Sequence, residues 1–539
     1  MDLRLGKFSG LTSLNFLCMD DGPTAQKFEQ GLQYIWRPSF TLRPDTLESL
    51  SCTSGSLQKL WVAFNDDVEH TTLEHFSSLV NLRDLHISLY GNIGNQPVST
   101  TVRLSPKLTA LTKLEAFRIR GAGLIAEEQP GLLLELCQHL TYLLLHGEKV
   151  SLREPISSPS LQFLSIICPL THRLPVGCCP ELLTLIHSAR DVTAADLLKL
   201  PMLTTLRDTI CSPTNISPDF VMGLQPLSSL QHIQLSQYRA QECGGFEELS
   251  IFPALQSMKL MIDNDPHLLQ LSPLLSRNTA LHTIEIRKSF TATHYQPMAF
   301  GEIEYLTALR SLTLECQALH GPLCCSSLEY LELIGAGGYM MLIWPDVSGC
   351  PRLTNLKLRN LPPAKPPKGL EQLRSLKNVQ FTFVYMAFLN NRPVPLQYDA
   401  REHFDSINDL LDQLPGLPSL EALQIAAIQS NMAVNLGKAH ADGLHHLALA
   451  CRSLVILTGG SQGPPFDSPQ SLHLLSRGTQ DARTVQFLRS KRATIFEDER
   501  TGLKGHKIGL PNALDLDWDE VMEDVLEDSV VHGQYRLFL

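Results

Sequence analysis

The chain has 539 residues, 43% of them hydrophobic and 18% charged, with a formal net charge of −11. This is the composition of a folding protein rather than a disordered one, and the acidic balance argues against non-specific binding to nucleic acid or to anionic membrane. No basic start followed by an apolar core and a small-residue cleavage site opens the chain, and no run approaches roughly 18 apolar residues, so no leader and no membrane span are expected.

The 13 cysteines are odd in number and spread over a long chain. That pattern points to reduced thiols and an intracellular setting, cytoplasmic or nuclear. The sequon Asn215-Ile216-Ser217 is then expected to be unused.

Taken in order, strand-like segments of the form L-x-x-L-x-L recur along most of the chain. They begin at Leu11-Leu14-Phe16, Leu57-Leu60-Val62, Leu82-Leu85-Ile87 and Leu114-Phe117-Ile119. Leu47-Leu50-Cys52 also fits, but it lies 10 residues before Leu57, too close for a full repeat, and Leu57 is the anchor kept. Four segments then hold one period, with first leucines Leu140, Leu161, Leu182 and Leu203 spaced by 21 residues. The first is a full match, the second ends in isoleucine, and the last two keep only L-x-x-L. Further copies start at Leu230, Leu255, Leu281, Leu309, Leu328, Leu353 and Leu376, and two wider-spaced ones at Leu420-Leu423-Ile425 and Leu454-Leu457. From Leu57 to Leu376 the mean spacing is about 24.5 residues. A period of about 20–50 residues marks stacked repeats, and this one is the strand of a leucine-rich repeat. Each repeat buries its apolar face against its neighbours, so so long a chain need not split into several globular cores.

Two other residue types keep the same phase. Cys137, Cys179, Cys325, Cys350 and Cys451 lie three residues before an anchor leucine, and Pro159, Pro180, Pro201, Pro253, Pro351 and Pro418 lie two before. A buried thiol suits a crowded position where the returning segment meets the strand. Proline there ends that segment without costing a ladder N–H.

Interruptions divide the chain. Pro362-Pro363-Ala364-Lys365-Pro366-Pro367 is a stiff loop. Residues 384–417 form an insertion, with a helix expected around Ala400–Leu414 from the spacing of Phe404, Ile407, Leu410, Leu411 and Leu414. From about Gly459 the repeat fails. Residues 468–500 read as helical through Leu472, Leu475, Val485 and Leu488, and 512–529 carries eight acids and no base. The expected fold is therefore α/β: a leucine-rich-repeat solenoid over residues 1–458, with a parallel sheet on the concave side of a curved horseshoe and helices and loops on the convex side. Residues 459–539 are expected to form a partly helical, acidic C-terminal cap and tail.

Candidate chemistry is thin. Gly459-Gly460-Ser461-Gln462-Gly463 matches G-x-S-x-G and makes a serine hydrolase built on Ser461 a remote alternative. A nucleophile elbow needs a helix directly after the serine, and Pro464-Pro465 stand there instead. Asp515-Leu516-Asp517-Trp518-Asp519 starts like a calcium loop but continues with Glu520 and Leu526 where glycine and a carboxylate are required. The vicinal Cys178-Cys179 and Cys324-Cys325 lack second pairs at zinc spacing. No H-E-x-x-H and no phosphate-cradling glycine loop occurs. No enzyme activity, metal or cofactor is expected.

What remains is surface. Alternation along the strand places positions +2, +4 and +6 from each anchor on the face opposite the leucines. Candidate partner-binding residues on that face are Trp61, His86, Arg118, Arg120, Tyr142, Leu144, Phe163, Ile167, Ile186 and Tyr330. Leu144, Phe163, Ile167 and Ile186 fall on adjacent strands and are expected to form one exposed apolar patch, a common mark of a protein-binding surface. A one-residue slip would reverse the faces.

The forms Cys179-Pro180-Glu181-Leu182-Leu183-Thr184-Leu185 and Cys350-Pro351-Arg352-Leu353-Thr354-Asn355-Leu356, with the related Leu417-Pro418-Ser419-Leu420-Glu421-Ala422-Leu423, resemble the irregular intracellular repeats of fungal F-box/leucine-rich-repeat proteins. The resemblance covers roughly residues 8–458 and is architectural. It implies a repeat domain that selects substrates for an SCF-type ubiquitin ligase, joined through an N-terminal F-box to the Skp adaptor and the cullin complex. No L-P-x-E-type F-box motif is found, and the chain opens directly in a repeat at Phe8–Phe16. The expectation is thus a non-catalytic protein-interaction module, with a ligase role implied by the resemblance and a regulatory or structural scaffold as the alternative.

Overall fold

The computed structural model describes residues 13–16, 56–64, 73–89, 101–120, 123–126, 138–147, 150–152, 155–168, 173–189, 191–208, 218–238, 247–262, 268–269, 274, 278–288, 299–300, 308–316, 318–319, 322–335, 346–361, 368–383, 386–389, 392–395, 417–435, 446–457, 471–476, 494–498 and 503–509. The chain divides into two compact units, Met1–Cys243 with Ile251–Met261, and Gly244–Ser250 with Ile262–Leu539.

In the first unit the main strands are β1 (Ser13–Phe16), β2 (Lys59–Phe64), β3 (Asp84–Leu89), β4 (Ala116–Arg120), β5 (Tyr142–His146), β6 (Phe163–Ile167), β7 (Thr184–His187), β8 (Thr205–Asp208), β9 (His232–Tyr238) and β10 (Ser257–Ile262). From β1 to β9 each pairs in parallel with the next. The repeat position is kept throughout: Leu14, Leu60, Leu85, Phe117, Leu143, Leu164, Leu185, Leu206 and Ile233 are successive partners. The register therefore follows the leucines, and Leu57, buried at 0% exposure, is the anchor of its repeat.

The stitching between turns explains why the register does not slip. The carbonyl one residue after each anchor accepts two N–H groups of the next repeat. Arg83 and Asp84 both donate to Gln58, Glu115 and Ala116 to Arg83, and Thr141 and Tyr142 to Glu115. The same bifurcation runs on through Thr141, Gln162, Leu183, Thr204 and Gln231. A shift by one residue would both break these pairs and turn the leucines out of the core.

Ahead of most described strands lies a tight turn in which the anchor N–H donates to the carbonyl three residues back, as from Leu182 to Cys179, Leu328 to Cys325 and Leu353 to Cys350. That residue is buried, and its thiol, where it is cysteine, reaches the preceding repeat. Cys179 Sγ lies 3.5 Å from the Ile156 carbonyl, and Cys350 Sγ 3.3 Å from that of Leu323. The in-phase prolines take the next position of this turn, where a fixed φ favours turn formation. Cys178 and Cys324, one residue earlier, are exposed.

The return segments were expected to carry helices and loops. Among the described residues they carry 3₁₀ turns such as Pro106–Ala110 and Leu370–Gln372, and short helices at Ala194–Leu197 and Pro218–Gly223. They also carry secondary rows of short parallel strands, Thr101–Arg103 with Gly123–Ala126 and Val150–Leu152, and Leu268–Leu269 with Ala299–Phe300 and Ala318–Leu319. Repeats mostly of 19 to 28 residues leave little chain for a full helix, and the described returns close with turns, short helices and an extra pairing.

In the second unit β11 (Thr283–Lys288), β12 (Ser311–Cys316), β13 (Tyr330–Gly335), β14 (Asn355–Leu361), β15 (Asn378–Phe383), β16 (Ala422–Asn435), β17 (His446–Leu457) and β18 (Ser471–Ser476) pair in parallel, each with the next. Two expectations need correction here. Leu423 and Ile425 partner Leu447 and Leu449, so these two, and not Leu454-Leu457, are the inward residues of the next strand; in sequence Leu444 completes the template. Leu454 instead faces Met432 in a continuation of the ladder beyond a bulge.

The second correction concerns the C-terminal region, where the described part is strand and not a helical cap. β18 extends the parallel ladder, and β20 (Leu503–Gly509) pairs antiparallel with both β18 and β19 (Thr494–Asp498). Leu472 and Leu475 fit helical spacing, but Leu472 and Leu474 alternate with Ser471 and His473, and the period of two wins once a preceding strand offers its open edge. The repeat was hidden because the sequence has Pro469, not leucine, three residues before Leu472. Within the insertion Met386–Leu389 and Arg392–Pro395 form an antiparallel hairpin. The expected helix at 400–414, the acidic 512–529 segment, Pro362–Pro367 and Ser461 lie outside the described residues.

Candidate recognition face

The face opposite the leucines in the first unit carries rows of side chains set by the ladder. The lower row is Lys59, Asp84, Ala116, Tyr142, Phe163 and Thr184. The middle row is Trp61, His86, Arg118, Leu144, Ser165 and Ile186, and the upper row includes Ser88, Arg120, His146 and Ile167. Nine of the ten candidate residues thus share this face, on neighbouring strands β2 to β7. Tyr330 belongs to the second unit.

Two ring stacks lie on it. Trp61 and His86 stack with centroids 4.7 Å apart and planes 8° from parallel, and Tyr142 and Phe163 stack at 4.3 Å and 1°. Between them stands Arg118. Its guanidinium pairs with Asp84 and lies 4.6 Å from the Tyr142 ring centroid. Ala116 contributes only a methyl between Asp84 and Tyr142, which leaves room for the arginine head. Arg118 thereby ties the lower row together by charge on one side and by the ring face on the other.

Small hydroxyls hold the rings from beneath. Trp61 Nε1 donates to Ser88 Oγ at 3.2 Å, the same hydroxyl lies 3.2 Å from His86 Nε2, and His146 Nε2 lies 2.7 Å from Ser165 Oγ. Burial, then the charges of Arg120 and Arg118, push the His86 imidazole down to about 4 against a smaller opposing pull from Asp84. Burial and Arg120 do the same to His146. Both rings are neutral at pH 7. The serine–histidine contacts resemble a nucleophile beside its base, but Ser88 and Ser165 are 3% and 1% exposed. No substrate carbonyl reaches a hydroxyl so covered, and the pairs serve as packing hydrogen bonds.

Leu144 departs from expectation. It faces outward by alternation yet is only 3% exposed. Its row neighbours are Arg118 and Ser165, and Tyr142 and His146 flank it along the strand, so larger groups close over it. The accessible apolar surface comes from Phe163, Ile167 and Ile186, which are half-buried, with the Tyr142 edge. Arg120 is exposed, and its side chain has no ion pair or hydrogen bond among the described residues.

A polar cluster on the core side was not among the expected site residues. The repeats at Leu182 and Leu203 lack a third leucine; His187 and Asp208 occupy that place, register with each other, and are 4% and 7% exposed. Ser236 donates to Asp208 at 2.5 Å. Burial lowers the His187 pKa, with Asp208 opposing. The broken template was the available signal.

In the second unit the equivalent face is built on ions and amides. Glu332 and Arg359 are 3% and 7% exposed, with Arg359 Nε 2.9 Å from Glu332 Oε1, a charge contact without hydrogen-bond alignment. Tyr330 donates to the other Glu332 oxygen at 3.0 Å, Thr313 lies 3.3 Å from it, and the Lys357 ammonium sits 5.8 Å from the Tyr330 ring centroid. Gln380 and Gln424 are buried in the same row. Among the described residues no cluster of three or more His, Cys, Asp or Glu could hold a metal ion, and no helix is long and apolar enough to cross a membrane.

No protein-family model matches the chain, and no curated protein matches it in sequence. Among solved structures it is similar to a leucine-rich-repeat protein of Leptospira interrogans, at 14% identity and a TM-score of 0.39, over 76% of this chain and 93% of that one. An internalin of Listeria monocytogenes is similar at 14% identity and a TM-score of 0.28, over 80% of this chain and 88% of that one. Likeness at this level carries no function across. The fold rests on the ladders themselves: each unit stacks parallel strands whose inward leucines repeat in register.

Proposed function

We propose that the chain is a protein-recognition module whose binding surface is the outward face of β2 to β7. The observation that carries this reading is the pairing of two exposed-edge ring stacks around Arg118 on one rigid ladder. Aromatic and arginine side chains dominate binding energy at protein interfaces, because they offer large area at little conformational cost. Here the rings are already stacked, and Trp61, His86 and Arg118 are already held by Ser88 and Asp84. Binding then loses little side-chain freedom. The work asked of this face is recognition, without bond-making chemistry.

Substrate selection within an SCF-type ubiquitin ligase is the finer form of the reading, supported only by the C-P-x-L-x-x-L resemblance. Affinity purification of the full chain tests both levels. Partners lost on Phe163→Asp at unchanged melting temperature support the face, and recovery of a Skp or cullin subunit supports the ligase role. Partners retained equally by wild type and Phe163→Asp would overturn the face, and recovery of partners without Skp or cullin would leave a regulatory or structural scaffold.

A further inference from the structure

We propose that Arg120 is the anchor for a carboxylate on the bound partner, so that this face selects a segment with Asp or Glu next to a large apolar side chain. This deepens the reading of the face given above and rests on it.

Three observations on the same strands carry it. Arg118 and Arg120 stand two residues apart on one face of β4, yet only Arg118 has its charge matched, by Asp84. Arg120 is exposed, without an ion pair among the described residues, and lies between Ser88 on β3 and His146 on β5. The other titratable or charged groups on the neighbouring positions are His86, His146, Asp84 and Lys59. Both imidazoles are neutral at pH 7 and Asp84 is already engaged by Arg118, so among the described residues no carboxylate pairs with Arg120. This is a local exception on a chain of net charge −11.

Beside the cation, Ile167 partners His146 in the ladder and Ile186 lies on the next strand. Ile167 lies two strand spacings, about 10 Å, from Arg120 and is the near end of an apolar shelf that runs on, farther from the guanidinium, through Ile186 and the Tyr142–Phe163 stack. Neighbouring side chains of an extended peptide span a comparable distance, so one can enter the shelf while the other reaches the guanidinium. A carboxylate is the better match than a phosphate. One guanidinium balances one negative charge, whereas a phosphomonoester carries nearly two and calls for a cluster of cations.

The test uses the full-length chain on an array of immobilised extended peptides, each containing Phe or Leu beside Glu or Asp, with twins in which the acid is Gln or Asn. Wild type, Arg120→Gln and Phe163→Asp are compared, and each variant is first checked for an unchanged thermal midpoint. The expected result is roughly tenfold stronger retention of acidic peptides than of their amide twins, a preference abolished by Arg120→Gln and weakened by salt. Retention that depends on Phe163 but ignores the acid, or an acid preference that survives Arg120→Gln, overturns the anchor while the face stands. Retention by wild type that Phe163→Asp leaves unchanged, or no retention at all, overturns both.

Discussion

The two units build the same strand ladder and use its outward face in opposite ways. In the first, the ion pair between Arg118 and Asp84 leaves both side chains 26% exposed, and rings lie to either side. In the second, the side chains of Arg359 and Glu332 are 8% and 4% exposed, closed in by Tyr330, Thr313 and buried amides. A half-exposed charge beside stacked rings can exchange water for a partner at little cost. A buried pair has already lost its water and spends its interactions on its own chain. Alternation decides which residues face outward; the size and charge of row neighbours decide whether they stay available.

The largest effect expected from breaking this contrast is in the second unit. Glu332→Ala removes the charge opposite Arg359 and the acceptor of Tyr330, and should cost about 3–5 kcal/mol in chemical denaturation. Replacing both partners with apolar groups, as in Glu332→Leu with Arg359→Met, should recover most of that loss. Leu164→Ala in the first unit empties a fully buried position on β6 and should cost about 2–5 kcal/mol. Phe163→Asp, one residue earlier and facing outward, should change stability far less while weakening partner binding.

That contrast between neighbours 163 and 164 was legible in the sequence, because L-x-x-L-x-L fixes both the period and the face. Leu144 was not, since its burial depends on row neighbours from other repeats, Arg118 and Ser165, as well as on Tyr142 and His146 of its own strand. The repeats at Leu444 and Pro469 were missed for different reasons. The first competed with Leu454 for the same strand, and the second has no leucine at its anchor. The strand at Ser471–Ser476 looked helical because local spacing cannot register the open strand edge before it. His187 and Asp208 could be seen only as gaps in the leucine pattern, and their pairing needed the ladder.

A smaller, pH-dependent effect should appear in the first unit. His86 and His146 have folded-state values of about 4 against an ordinary 6.5, so the unfolded chain binds more protons between those values. Their contribution is full above pH 6.5 and is lost as pH falls from 6.5 toward 4; His187, shifted in the same direction, adds to it. Thermal midpoints measured from pH 7.5 to 4.5 should fall, and His86→Gln with His146→Gln should flatten the curve. A profile identical in wild type and the double variant would contradict neutral rings on this face. Smallest of all, Glu115→Gln at the exposed pair with Arg83, whose side chains are 52% and 54% exposed, should shift stability by less than about 1 kcal/mol.

The most direct measurement is the dissociation constant of a purified partner for the full chain carrying one change in each face: Phe163→Asp on β6 and Lys357→Ala on β14. If the ring-bearing face of the first unit is the recognition surface, Phe163→Asp raises Kd by about tenfold or more, and Lys357→Ala leaves it within about twofold, with both variants fully folded. A Kd unmoved by Phe163→Asp, or moved chiefly by Lys357→Ala, contradicts it.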